Sequence, residues 1–187
     1  MVKVYFLTSN PHKVKEAKQI FSEFGIEVEP LPGRKVEIQA NDLSEIVSYA
    51  AKVAAKEYKQ RPLVLEDSGF FVHALRGFPG PYSHYVYDTI GLEGVLKLME
   101  GVKDRKAHFE CAAACVCSDD LVEVEVGKVY GYVTREPRGE GGFGFDPIFV
   151  PEGYDKTFAE LGEEVKSKIS HRANALRALA RRILAKA

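Results

Sequence analysis

Val2-Lys3-Val4-Tyr5-Phe6-Leu7-Thr8-Ser9-Asn10-Pro11-His12-Lys13 is the stretch that decides the fold class. Residues 2–8 are rich in β-formers without clean alternation, the pattern of a buried strand. Asn10-Pro11 then supplies a helix N-cap followed by proline at the first helical position. Val14, Ala17, Ile20, Phe21 and Phe24 fall on one helical face, and Gly25 is a natural stop. The chain therefore opens strand, polar loop, helix, as α/β proteins do.

Working outward, short extended segments are expected at 26–31 and 34–38. A second helix starts at Asp42, with Glu45 at capping-box-like spacing, and carries Leu43, Ile46, Val47, Ala50, Val53 and Ala54 to about Lys59. Pro62 to Leu65 reads as a strand that runs into Glu66-Asp67-Ser68-Gly69, and Phe70 to Leu75 continues it after a kink. Gly77-Phe78-Pro79-Gly80-Pro81-Tyr82-Ser83 reads as a loop. A helix is expected over 91–100, and two long strands at 106–117 and 121–134 form a hairpin across Ser118-Asp119-Asp120. Residues 137–155 are rich in Gly and Pro, and a final helix from His171 to Lys186 sets Leu176, Leu179, Ala180, Ile183 and Leu184 on one side. The predicted fold is α/β, one domain over 1–187, with a long mixed sheet and flanking helices. The mid-chain hairpin points to two lobes with a central cleft.

Composition narrows the function. The 187 residues are 45% apolar and 28% charged with net charge −1, so no bulk attraction to nucleic acid or membrane is expected, and any phosphate site must be local. No apolar run approaches the roughly 18 residues of a membrane helix. The N-terminus is too short for a signal peptide and reads as a strand. Cys111, Cys115 and Cys117 form no disulfide framework or zinc pattern, which argues for a reducing, cytoplasmic setting and buried structural thiols.

Four short motifs carry chemistry. Thr8-Ser9-Asn10 leads into a helix N-terminus whose free N–H groups and dipole suit an anion, and Lys13 adds a charge one turn in. Glu66-Asp67 ends an apolar strand, where paired carboxylates need a cation or donors; a hard divalent ion would serve, with Glu37 as a further carboxylate. Gly139 to Gly144 spells G-x-G-x-x-G, but Pro147 and the β-rich Ile148-Phe149-Val150 deny the helix that a dinucleotide fingerprint requires. Those glycines instead shape a loop that lets Phe143 or Phe145 face a flat ligand. Ser170-His171-Arg172 places cations in a first helical turn, against the dipole, which hints at a ligand.

Together, Ser9-Asn10-x-x-Lys13, Glu66-Asp67-Ser68-Gly69, Gly144-Phe145-Asp146-Pro147 and Ser170-His171-Arg172 resemble the inosine triphosphate pyrophosphatase family (XTP/dITP diphosphatases), over essentially the whole chain. Pro79-Gly80-x-Tyr82-Ser83 and Phe158-Ala159-Glu160-Leu161 also resemble family segments. The resemblance implies a two-lobed α/β fold, a homodimer, and hydrolysis of deaminated purine nucleoside triphosphates to monophosphate and pyrophosphate. It implies a phosphate loop at Thr8, Asn10 and Lys13, with Ser9 and Ser68 beside the substrate, and magnesium on Glu37 and Asp67 with Glu66 adjacent. Base recognition falls on Phe143, Asp146, Lys166, Ser170, His171 and Arg172. Two departures from the pattern stand out: Ser167 stands where asparagine usually follows the lysine, and His84-Tyr85 replaces a small residue and an arginine.

The expected chemistry is in-line attack of water at the α-phosphorus, with Asp67, Glu66 or the metal activating the water. A Maf-like pyrophosphatase is the nearest rival, but its Ser-x-Ser-Pro-Arg-Arg opening is not matched by Ser9-Asn10-Pro11-His12. A non-catalytic nucleotide binder would have little use for three carboxylates facing a triphosphate. A nucleic-acid module would rest on Arg172, Arg177, Arg181 and Arg182, which lie on a terminal helix in a chain of near-zero charge.

Overall fold

β1 (Val2–Leu7) and β2 (Ile26–Leu31) run parallel, in register from Val2 opposite Ile26 to Leu7 opposite Leu31. Parallel neighbours need a crossover, and α1 (Pro11–Ser22) provides it. The computed structural model describes residues Met1–Ala187. After β2 come α2 (Leu43–Glu57), β3 (Leu63–Val72), the short β4 (Pro79–Gly80), α3 (Ser83–Thr89) and α4 (Gly91–Leu98). β5 (Lys106–Ser118), β6 (Leu121–Val133), β7 (Phe149–Pro151), α5 (Phe158–Ile169) and α6 (His171–Lys186) complete the chain. The seven-stranded mixed sheet has the order β2-β1-β3-β5-β6-β7, with β4 antiparallel to β3. No helix is long and apolar enough to cross a membrane.

Several elements depart from the sequence reading. Residues 34–38 form no strand. β3 runs unbroken through Glu66-Asp67-Ser68-Gly69 and ends at Val72, where a 3-10 turn over His73–Leu75 replaces the expected extension. α3 and α5 lie outside the helices expected from the sequence. Gly162 adopts φ 84° inside α5 and interrupts its helical pattern. The capping box lies at Thr157 and Glu160, at the start of α5, whereas Asp42 caps α2 by accepting from the Ser44 N–H. Leu184 is exposed rather than packed.

The chain divides into two compact units. The first comprises Met1–Asp67, Cys111–Gly127 and His171–Ala187. Its core joins Val4, Phe6 and Val64 with Ala17, Ile20 and Phe21 of α1 and Leu176, Leu179 and Ile183 of α6. The second comprises Ser68–Glu110 and Lys128–Ser170. Its core is aromatic: Phe70 lies 4.8 Å from Phe109 and 5.1 Å from Phe145, and Phe109 lies 4.8 Å from Phe149. Such pairs add about 0.5–1.5 kcal/mol each beyond their buried area.

Candidate functional site

In the first unit the turn from β1 into α1 is locked by its own polar groups. Asn10 caps the helix by accepting from the His12 N–H at 3.0 Å, and Thr8 Oγ1 accepts from the Asn10 N–H at 3.1 Å. Ser9 donates its hydroxyl to the Gly33 carbonyl at 2.9 Å. Pro11 begins the helix, so no N–H is lost there. The turn thus presents a helix N-terminus, with Lys13 on its first turn.

Lys13 reaches Glu66: its Nζ is 2.7 Å from Oε1 of a carboxylate that is 1% exposed. The other oxygen, Oε2, accepts the Cys111 thiol at 3.3 Å and lies 3.5 Å from Arg172 Nε. Burial pushes the Glu66 carboxyl up, but Lys13 and Arg172, then Lys35, outweigh it and hold it well below the usual range. Glu66 is therefore held as the anion at neutral pH. The same burial, with the Glu66 charge beside it, pushes the Cys111 thiol up.

Asp67 has the opposite character. Burial pushes its carboxyl up to about 6; Lys35 and Lys13 pull against this, and Glu37 and Glu66 add to it. Lys35 pairs with Glu37 Oε1 at 2.8 Å. Burial works against the Lys35 charge, but Asp67 and Glu37 raise its pKa overall. Glu37 and Asp67 offer only oxygen donors, and the charge crowded on Asp67 is what a divalent cation relieves, so the pair fits a hard metal ion. No group of three or more His, Cys, Asp and Glu side chains could hold one alone. Water and other oxygen ligands would complete the shell of such an ion.

Arg172, expected to read a base, is 1% exposed. Its Nη1 lies 2.6 Å from Glu16 Oε2, so it joins α6 to α1 as well as to Glu66. Burial lowers its affinity for a proton, but Glu66 and Glu16 reverse this and strengthen it. His171 is also buried. The first turn of α6 is set by a main-chain approach: a Cβ on Gly127 of β6 would overlap the His171 carbonyl oxygen and the Ala175 nitrogen.

In the second unit, Asp146 is 2% exposed and its Oδ2 is fully engaged, accepting from Lys166 Nζ at 2.7 Å and the Phe143 N–H at 3.1 Å. Lys166 also sits 4.4 Å from the Phe143 ring centroid. Gly142 has φ 70°, and a Cβ there would overlap Asp146 Oδ2, so this glycine serves a close approach. A 3-10 turn, Asp146–Ile148, follows the loop, and β7 follows that, with no dinucleotide-type helix. Phe145 does not face a ligand: it is 4% exposed and stacks on Phe70 at 18°. Ser68 is half-buried in β3, Ser170 is buried after α5, and Ser167 caps back to the Glu164 carbonyl. His84 is exposed and pairs with Asp88.

The first unit thus gathers Asn10, Lys13, Glu37, Glu66, Asp67 and Arg172, and the second gathers Phe143, Asp146 and Lys166. Sequence reading missed Glu16, Lys35 and Cys111. Glu16 lies one helical turn beyond Lys13, and that spacing was the available signal. Lys35 and Cys111 gave none, because their roles depend on long-range contacts.

The Ham1 family model matches residues 4–182. The chain belongs to the Ham1 family. It is similar to the dITP/XTP pyrophosphatase of Ignicoccus hospitalis, with 64% identity over 97% of this chain and 96% of that one. It is similar also to that of Thermococcus kodakarensis, with 51% identity over 96% of each. Among solved structures, a HAM1 protein from Coxiella burnetii matches with a TM-score of 0.86 and 30% identity over 100% of both chains. The nucleoside-triphosphatase / dITP/XTP pyrophosphatase from Mycobacterium abscessus matches with a TM-score of 0.74 and 31% identity over 95% of this chain and 98% of that one.

Proposed function

We propose that the chain is a hydrolase that converts deaminated purine nucleoside triphosphates (ITP, dITP and XTP) to the monophosphate and pyrophosphate. The observation that carries this reading is the cluster around Asp67 in the first unit: a half-buried carboxyl pushed up to about 6, between two lysines, beside a capped helix N-terminus. That is the equipment for holding a polyphosphate and accepting a proton near neutral pH. Relatives bearing the name dITP/XTP pyrophosphatase over nearly the full chain support the substrate class.

Asn10, Lys13 and the N–H groups of α1 hold the phosphate chain. Water attacks the α-phosphorus in line, the bond to the bridging oxygen breaks, and pyrophosphate leaves. Asp67 takes the proton of the attacking water. Glu66 is not the base, because its oxygens serve Lys13, Arg172 and Cys111. Glu37 and Asp67 would hold magnesium, which when bound neutralises charge developing on the leaving pyrophosphate.

Base choice is assigned to Phe143, Asp146 and Lys166, and Phe143 supplies a face for the ring. With Asp146 Oδ2 engaged by Lys166 and the Phe143 N–H, that oxygen offers no ready acceptor to the 2-amino group of guanine, and a donor left unpaired is strongly disfavoured. A cytoplasmic homodimer without nucleic-acid binding completes the reading. A hydrolysis panel of inosine, deoxyinosine, xanthosine, guanosine and adenosine triphosphates, with product identification and light scattering of the enzyme, tests it. Sequential release of single phosphates would overturn the mechanism, and preference for adenosine or guanosine would overturn the substrate class.

A further inference from the structure

β5 passes through Cys111, Ala113 and Cys115 with all three side chains in the core of the first unit. Cys111 differs from the other two because it also meets the ion cluster. Its side chain is fully buried, and its Sγ donates to Glu66 Oε2 at 3.3 Å. Glu66 Oε1 meanwhile faces Lys13 Nζ at 2.7 Å. The two oxygens of one carboxylate are thus divided, one to the lysine of α1 and one to the thiol of β5. Arg172 Nε, at 3.5 Å from Oε2, is too far to fix the carboxylate plane by itself.

We propose that Cys111 is a positioning residue for the pyrophosphatase reaction: its thiol fixes the rotamer of Glu66, and Glu66 in turn holds Lys13 beside the phosphate-binding helix N-terminus. This rests on the assignment of Lys13 to the phosphate chain. A carboxylate in the interior needs its lone pairs filled, and a thiol is the one neutral donor that also packs as a small apolar residue. Without it Oε2 turns toward Arg172, and Oε1 moves with it because the carboxylate is rigid. Lys13 then follows its counter-ion away from the substrate. The effect originates at a residue that never touches the nucleotide.

Cys111→Ala and Cys111→Ser provide the test, because alanine and serine leave almost the same space while only serine keeps a donor. Three quantities are compared with wild type: kcat/KM for inosine triphosphate with magnesium, the melting temperature, and the affinity of the metal-free protein for α,β-methylene inosine triphosphate by calorimetry. The alanine variant should lose about tenfold in kcat/KM, the low end for one hydrogen bond to a charged group, and weaken analogue binding by a comparable factor. The serine variant should stay within about twofold of wild type in both, although packing lowers the melting temperature of both variants. Equal activity and binding in the two variants would reduce Cys111 to packing and overturn the proposal. A wild-type chain that turns over no deaminated triphosphate would instead overturn the proposed function, and with it any part for Cys111 in the reaction.

Discussion

Lys13 and Glu66 form an ion pair of 2.7 Å in which the carboxylate is 1% exposed. The pair ties the first turn of α1 to the middle of β3. Glu66→Gln removes the anion and leaves Lys13 and Arg172 without their shared partner. Breaking a buried pair in this way costs about 3–5 kcal/mol. Urea denaturation at neutral pH should show a loss of that size, with turnover falling alongside it. Unchanged stability would mean that water already screens the pair.

Asp67→Asn separates chemistry from folding. Turnover should fall by about a hundredfold or more, as when a general base or a key electrostatic group is removed. The melting temperature of the metal-free protein should hold or rise, because burial and the charges of Glu37 and Glu66 disfavour the native carboxylate. Steady-state kinetics and a thermal melt on one preparation decide the matter. Near-normal turnover would remove Asp67 from the reaction.

Arg172→Ala is expected to act on the scaffold. It strands Glu16 and Glu66 together, so hydrolysis of inosine and adenosine triphosphates should fall by similar factors and the melting temperature should drop. A loss confined to inosine triphosphate would return Arg172 to the base-reading role that the sequence suggested.

Lys166→Met frees one side of Asp146. The carboxylate keeps the Phe143 N–H but loses its cation at 2.7 Å. The ratio of kcat/KM for guanosine over inosine triphosphate should rise about tenfold, since an available acceptor now meets the guanine amino group. An unaltered ratio would show that guanine is refused elsewhere.

The second unit should weaken in mild acid. His73 Nε2 and His108 Nδ1 share a hydrogen bond of 2.8 Å, with Phe71 stacked on His108. Burial first, and the His108 charge second, hold the His73 pKa below its ordinary 6.5. The unfolded chain therefore takes up the proton first. Stability from this group is present above about pH 6.5 and is lost as pH falls through the lower folded value. Urea midpoints at pH 7.5 and 5.5 should drop more in wild type than in His73→Gln. Glu110, whose pKa lies below its usual 4.5, acts only in stronger acid.

Local signals carried well where they were strong. The opening strand, the Asn10 cap, the hairpin strands and α6 follow directly from side-chain pattern and capping chemistry. α3 escaped because its tyrosines leave no clear apolar face in seven residues; α5 carried a legible signal in its Thr157-x-x-Glu160 capping box, but Gly162 interrupts the run that follows. The motif residues were legible as letters, but not their division of labour. Glu66 and Asp67 are neighbours of one residue type in charge and opposites in affinity for a proton. Burial acts on both, and the positions of Lys13, Lys35 and Arg172, which come from distant segments, decide which carboxyl it is allowed to raise. Phe145 illustrates the same limit, since a glycine loop cannot say which of two phenylalanines turns inward.

The contact between Gly127 and the first turn of α6 is made backbone to backbone, with no side chain as spacer. The placement of His171 and Arg172 is therefore inherited from the sheet and does not have to be negotiated among the apolar residues of the helix. Leu176, Leu179 and Ile183 are free to exchange for other residues of similar bulk over evolutionary drift while the guanidinium stays in place. Position 127 has no such latitude: even a single methyl group would meet the His171 carbonyl oxygen and the Ala175 nitrogen and displace the helix.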